Sequence, residues 1–189
     1  MNPFDYVSVI FSVVIGLGLS HLLGGYVELI KSRRAVKFYW VHSLWIALAF
    51  LGHIFLWWTM WGLRHHRDWN FFAFLLVLAA PVMLYAAAAL LIPRLEAGDS
   101  VNLREYYYEN SPLIFGVFVA FTLILLAENS LLPGGRILQP INYMLGLTCV
   151  LLVASAATKN ERYHVALALL FVLMFLAFVL MFGLRLRGA

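Results

Sequence analysis

FFAFLLVLAAPVMLYAAAALLI, residues 71–92, decides the fold, because it carries no charged side chain and does not alternate polar with apolar positions. A helix rising about 1.5 Å per residue needs roughly 20 apolar residues to cross some 30 Å of hydrocarbon. This stretch supplies them. The strands of a membrane barrel would alternate polar and apolar residues, so a barrel is excluded. Five further blocks of the same kind flank it, at residues 4–30, 40–63, 113–132, 137–157 and 163–184. The predicted fold is therefore all-α, a polytopic six-helix transmembrane bundle forming one domain over residues 1–189.

Composition agrees. Of the 189 residues 64% are hydrophobic and 12% charged, against about 45–50% and about 25% in soluble domains. The net charge of +4 does not point to nucleic acid, because the basic residues sit at the ends of the apolar blocks and no basic stretch is long enough to form a groove. Cys149 is the only cysteine, which excludes an internal disulfide framework and a cysteine zinc cluster. Met1–Asp5 lacks the positive region of a secretory signal, so the first span is expected to stay in the mature protein.

Lys31, Arg33, Arg34 and Lys37 follow the first span, Arg94 and Arg104 the third, and Lys159 and Arg162 the fifth. The other side holds Arg64, Arg67, Arg136, Arg185 and Arg187. By the positive-inside rule the first group is expected in the cytoplasm and both termini outside it. Tyr39 and Trp40 would mark the inner interface, and Trp57, Trp58, Trp61 and Trp69 the outer one. Within the longest connection, Arg94–Pro112, the run Tyr106, Tyr107 and Tyr108 suggests a short helix lying on the inner interface.

Pro3–Gly25 aligns without a gap on Pro112–Gly134, ending in SHLLGG and NSLLPG, as a 3+3 inverted repeat would. Ser8, Ser12, Gly16, Ser20 and Gly24 form a ridge of small side chains in the first span, which suits helix packing within the bundle or between protomers. Pro81 and Pro140 are expected to kink their spans.

His42, Ala49, His53 and Met60 share one face of the second span, since eleven residues at about 100° each return to nearly the same direction. His21 and His164 fall toward the same side of the membrane as His42. These three are the metal candidates, and two imidazoles could also hold a haem. No Cys-x-x-Cys-His or His-Glu-x-x-His motif accompanies them, and hydrogen bonding to a neighbouring helix is the commoner use of a buried histidine. No cofactor is predicted. A charge at the bilayer centre costs at least about 2.5–3.5 kcal/mol, and no carboxylate lies at mid-span. Asp5, Glu28 and Glu128 are all near span ends, which leaves His53 as the deepest titratable group. Glu128 and Asn129, with Ser130, would form a polar outer mouth with Gln139 and Asn142 if the fourth connection brings those helices together. The sixth span is almost purely apolar and is expected to face lipid or a partner, its Met and Phe side chains serving as filling.

FDYVSVIFSVVIGLGLSHLL (4–23), YWVHSLW (39–45) and GHIFLWW (52–58) resemble a group of uncharacterised small multi-span bacterial inner-membrane proteins. The resemblance implies a bacterial inner membrane and contributes no catalytic residue. Transport, as a small channel or transporter for an ion or small solute, alone or as a homo-oligomer, is the leading expectation. The alternative is a non-catalytic subunit or scaffold of a larger membrane complex, followed by a bis-histidine haem subunit. An enzyme is disfavoured because no nucleophile, metal motif or phosphate loop is visible.

Overall fold

Each expected span is a helix in the computed structural model, which describes residues 3–65, 69–95, 100–132 and 137–180, with His65 given by its backbone alone. These are α1 (Pro3–Lys31), α2 (Trp40–Thr59, continued by a 3₁₀ turn, Met60–His65), α3 (Phe71–Leu91), α4 (Leu103–Leu131), α5 (Pro140–Ala157) and α6 (Glu161–Phe178). All six are long and apolar enough to cross a bilayer. Two short strands, β1 (Val36–Lys37) and β2 (Val101–Asn102), pair in parallel and tie the α1–α2 connection to the start of α4. They mark one end of the bundle, called the strand end below. Arg67, Arg136, Arg185 and Arg187, the Pro133–Gly134 end of the aligned segment and the last residues of the sixth block lie outside the described residues.

Two boundaries differ from expectation, the starts of α4 and of α5. The tyrosine run is not a separate interfacial helix. It forms the first turns of α4, whose N-cap Asn102 accepts from the Arg104 N–H and donates to Glu105. Burial explains the continuity, because Tyr107 is fully enclosed and Tyr106 reaches across to α3. Pro112 lies within this helix and cannot bond the Tyr108 carbonyl, which takes the Ser111 hydroxyl at 3.1 Å instead. Pro140 does not kink a span. It opens α5 as the first helical residue, where a missing N–H costs nothing.

Helices α1, α2 and α3 pack on one another, and α4 lies between α3 and α5. Helix α6 lies along α2, meets α4 through side chains at the strand end, and touches α5 little. Helices α1, α2 and α3 thus pack closely on one another, whereas α5 rests mainly on α4 and α6 mainly on α2.

Within the chain the small-residue ridge of α1 is not the packing face. That face is Val7, Phe11, Ile15, Gly18, Leu22 and Leu29, spaced three to four residues apart as one side of a helix requires. Gly16, Ser20 and Gly24 are exposed, and Ser8 bonds the Asp5 carbonyl of its own helix. Only Ser12 reaches another helix, accepting from the Trp57 indole at 3.1 Å. The close approaches occur at Gly18, whose Cα hydrogens face the His53 ring, and at Gly25, which faces Ile92. A Cβ at Gly18 would collide with the His53 Nε2, whereas one at Gly16 or Gly24 would meet open space.

The two kinds of glycine should therefore separate in a melting experiment. Gly18→Ala is expected to lower the thermal stability of the detergent-solubilised protein by about 1–3 kcal/mol, the usual range for overpacking. Gly16→Ala should stay within about 0.5 kcal/mol of the parent. Equal effects would contradict the assignment of the packing face.

Candidate functional site

His42, Tyr107 and His164 are buried at the strand end, and their arrangement follows from a general deficit: the last carbonyls of a helix have no partner within it. The Leu91 carbonyl at the end of α3 accepts from His42 Nε2 at 2.8 Å, and the Leu90 carbonyl accepts from the Tyr106 hydroxyl at 2.8 Å. At the end of α5 the Thr158 carbonyl accepts from His164 Nε2 at 2.9 Å. A carbonyl can only accept, so Nε2 carries the hydrogen in both rings. His164 Nδ1 is then the acceptor for the Tyr107 hydroxyl at 2.8 Å. Tyr163, one residue earlier, donates to the Leu151 carbonyl of α5 at 2.9 Å. Two histidines and two tyrosines thus bind helices to one another by completing or supplementing backbone bonds, and Tyr107 does so through the His164 side chain.

Three of the four candidate histidines are fully enclosed, and they do not converge on one point. His42 and His164 flank Tyr107, with ring centroids 6.1 and 5.3 Å from it. His53 donates from Nδ1 to the Ala49 carbonyl at 2.7 Å in its own helix, and its Nε2 abuts Gly18. His21 sits edge-on to Tyr85 of α3, centroids 6.1 Å apart. Among the described residues no three His, Cys, Asp or Glu side chains group as metal ligands. A metal or haem at His164 would have to displace an existing interhelical bond, because both of its ring nitrogens are engaged, whereas His42 uses only Nε2. His21 Nε2, His42 Nδ1 and His53 Nε2 are buried without a hydrogen-bond partner among the described residues.

A second layer covers this seal. Tyr39, just before α2, meets the Tyr108 hydroxyl at 3.1 Å and reaches Glu161 at the long distance of 3.5 Å. Burial, and then Tyr108 beside it, hold the Tyr39 phenol above the ordinary tyrosine range, so it remains a donor. Arg104 closes the layer with a 2.8 Å bond to Glu161, both side chains about half exposed.

Beyond the seal the bundle is hollow. Trp45, 2% exposed, stacks against Phe115, Phe118 and Phe171 at centroid distances of 5.0, 5.6 and 5.2 Å. Above this aromatic floor α5 and α6 diverge around a cavity of about 600 Å³, within the 300–1,000 Å³ usual for small-molecule sites. Its walls are apolar: Phe55 and Leu56 from α2, Phe121 and Leu125 from α4, Met144 and Leu145 from α5, and Met174 and Phe175 from α6. The Thr59 and Thr122 hydroxyls on the wall are spent on carbonyls of their own helices. Polar side chains gather at the end away from the floor, where Glu128, Asn129 and Gln139 line the mouth and Asn142 donates to Ser130 at 3.2 Å.

The expected polar grouping at the α4–α5 connection is thus present as geometry, and it borders a cavity that no sequence pattern announced. The expectation for α6 changes accordingly. Leu169, Leu173, Leu176 and Leu180 are exposed as a lipid-facing side would be, but Phe171, Met174, Phe175 and Phe178 line the cavity rather than filling a core. Trp45 was equally hidden in the sequence, because tryptophans in such a chain are expected at interfaces. Its one available signal is its position, well inside the second apolar block.

The seal makes a ranked prediction. Tyr107→Phe strips the only partner from His164 Nδ1 and should cost about 1–3 kcal/mol in thermal unfolding. Arg104→Ala removes a half-exposed ion pair and should cost at most about 1 kcal/mol. The reverse order would remove the seal from its structural role. No family model, no curated protein and no solved structure matches this chain.

Proposed function

We propose that this chain is a bacterial inner-membrane carrier that takes a small apolar or amphiphilic solute from the bilayer into the cavity between α5 and α6. The single observation that carries this reading is the cavity itself, about 600 Å³ in volume, apolar along its walls and bordered by two helices that touch little. A solute moving sideways from lipid into such a space keeps its apolar surface out of water throughout. An ion would lose its hydration shell there with nothing on the floor to replace it. The expected channel or transporter is narrowed accordingly, from ion or small solute to a lipid-soluble solute.

Lys31, Arg33, Arg34, Lys37, Lys159 and Arg162 all flank the strand end. By the positive-inside rule this end faces the cytoplasm, both termini face outward, and the cavity belongs to the outer leaflet. The seal of Tyr107, His42 and His164 then separates it from the cytoplasm in this conformation. Transport requires that seal or its surroundings to open, and binding alone does not. The aligned segments at Pro3 and Pro112 give the reading no support, since the two halves pack differently. A homo-oligomer is not needed either, because the cavity is bounded by one chain.

The test is native mass spectrometry of the protein extracted from membranes in mild detergent. An apolar adduct in about a one-to-one ratio is expected, and it should be lost in Thr148→Trp and Leu125→Trp, which place indoles in the cavity. Parent and filled variants with identical adduct profiles would sink the proposal in favour of a scaffold role.

A further inference from the structure

Among the described residues Glu128 is the only acidic side chain lining the cavity, and no Lys or Arg lines it. Its Oε1 is shielded from solvent and has no hydrogen-bond partner among the described residues. A carboxyl oxygen held out of water without a donor is costly unless something supplies one. Its helical neighbour Asn129 donates one amide hydrogen to the Leu125 carbonyl of the same helix, at 3.0 Å, and Glu128 Oε1 receives none from it. The Asn142 amide is likewise committed, to Ser130 and to the Ile137 carbonyl. Neither amide bonds Glu128, and the mouth of an otherwise apolar cavity is lined by a carboxyl that has no internal donor among the described residues.

The depth below that acceptor is set by α4. Phe118, at the floor, and Glu128, at the mouth, are ten residues apart on one helix, a rise of about 15 Å. From these observations we infer that the solute is a lipophilic primary amine, its ammonium group bonded to the Glu128 carboxylate and its single aliphatic chain lying down the cavity to Trp45. A charge-assisted N–H bond to a carboxylate is stronger than one from a neutral donor, and in an apolar mouth it discriminates against heads that lack the charge. An amino-headed phospholipid shares the ammonium but adds a phosphate, for which the lining offers no cation among the described residues. The single-chain amine is the occupant that matches all of the lining.

This inference rests on the reading of the cavity as a binding site, and the experiment separates the two. Binding of dodecylamine and of dodecanol is measured on the purified full chain in phosphatidylcholine nanodiscs, for the parent, Glu128→Gln, Glu128→Asp and Thr148→Trp, each with empty nanodiscs as the partition baseline. The parent should favour the amine over the alcohol by about tenfold or more, as a charge-assisted bond replaces a neutral one. Glu128→Gln should bring that ratio close to one, Glu128→Asp should keep most of it, and Thr148→Trp should bind neither compound above baseline. If the parent takes amine and alcohol equally, or Glu128→Gln keeps the preference, the amine assignment is wrong while the cavity reading stands. If the parent binds neither, the cavity reading fails first. Adding phosphatidylethanolamine to the nanodiscs should not displace dodecylamine, and efficient displacement would transfer the site to the phospholipid.

Discussion

His164 is the fastening on which the bundle depends. Its two ring nitrogens join three helices: one accepts from Tyr107 of α4, the other donates to the Thr158 carbonyl at the end of α5, and the ring itself belongs to α6. Few side chains can do this, since the task requires a donor and an acceptor on one rigid ring. Because the fastening lies at the strand end alone, α5 and α6 are drawn together there and released beyond it. The cavity is the consequence. In a soluble protein so open a wedge would collapse, because water would drive its apolar walls together, but lipid exerts no such force between apolar helices.

The same economy governs the other buried polar groups. His42 and Tyr106 complete the terminal carbonyls of α3 as His164 completes that of α5, and Tyr163 adds a bond to the α5 backbone. Unsatisfied backbone groups are expensive where no water can reach them, so helix ends near the membrane interior recruit side chains from neighbours. Of the three histidines singled out as metal candidates, His42 and His164 serve helix ends by hydrogen bonding, whereas His21 packs edge-on to Tyr85. His53 shows a second use, a flat ring that lets α1 and α2 approach closely at Gly18.

How much of this was legible in advance differs by scale. Six apolar blocks and their approximate limits follow from length and hydropathy, which depend only on local composition. The common face of His42, Ala49, His53 and Met60 follows from helical periodicity, and all four are buried. Which helix those residues face is a property of tertiary packing and left no local trace. Spacing singled out Gly16 and Gly24, while the contacts fell on Gly18 and Gly25, because a glycine becomes a packing residue only when another helix presses on it. The start of α4 was misplaced by ten residues because Pro112 and three tyrosines look like a boundary. They were carried into the helix by the burial of Tyr107 and by the Ser111 hydroxyl answering the stranded carbonyl. The cavity could not be read at all, since an aliphatic wall and an aliphatic core have the same sequence.

The account stands or falls on whether α5 and α6 are separated in the membrane. In a Cys149→Ser background, Ser130→Cys with Asn142→Cys replaces a pair already in hydrogen-bond contact, and Ile141→Cys with Phe178→Cys spans the wedge between the diverging helices. A disulfide needs Cα atoms about 4.4–6.8 Å apart. Under mild oxidation in native membranes the first pair should cross-link rapidly and the second should not. Rapid cross-linking of Ile141→Cys with Phe178→Cys would mean that the two helices close on each other and that the cavity is not a standing feature of the protein.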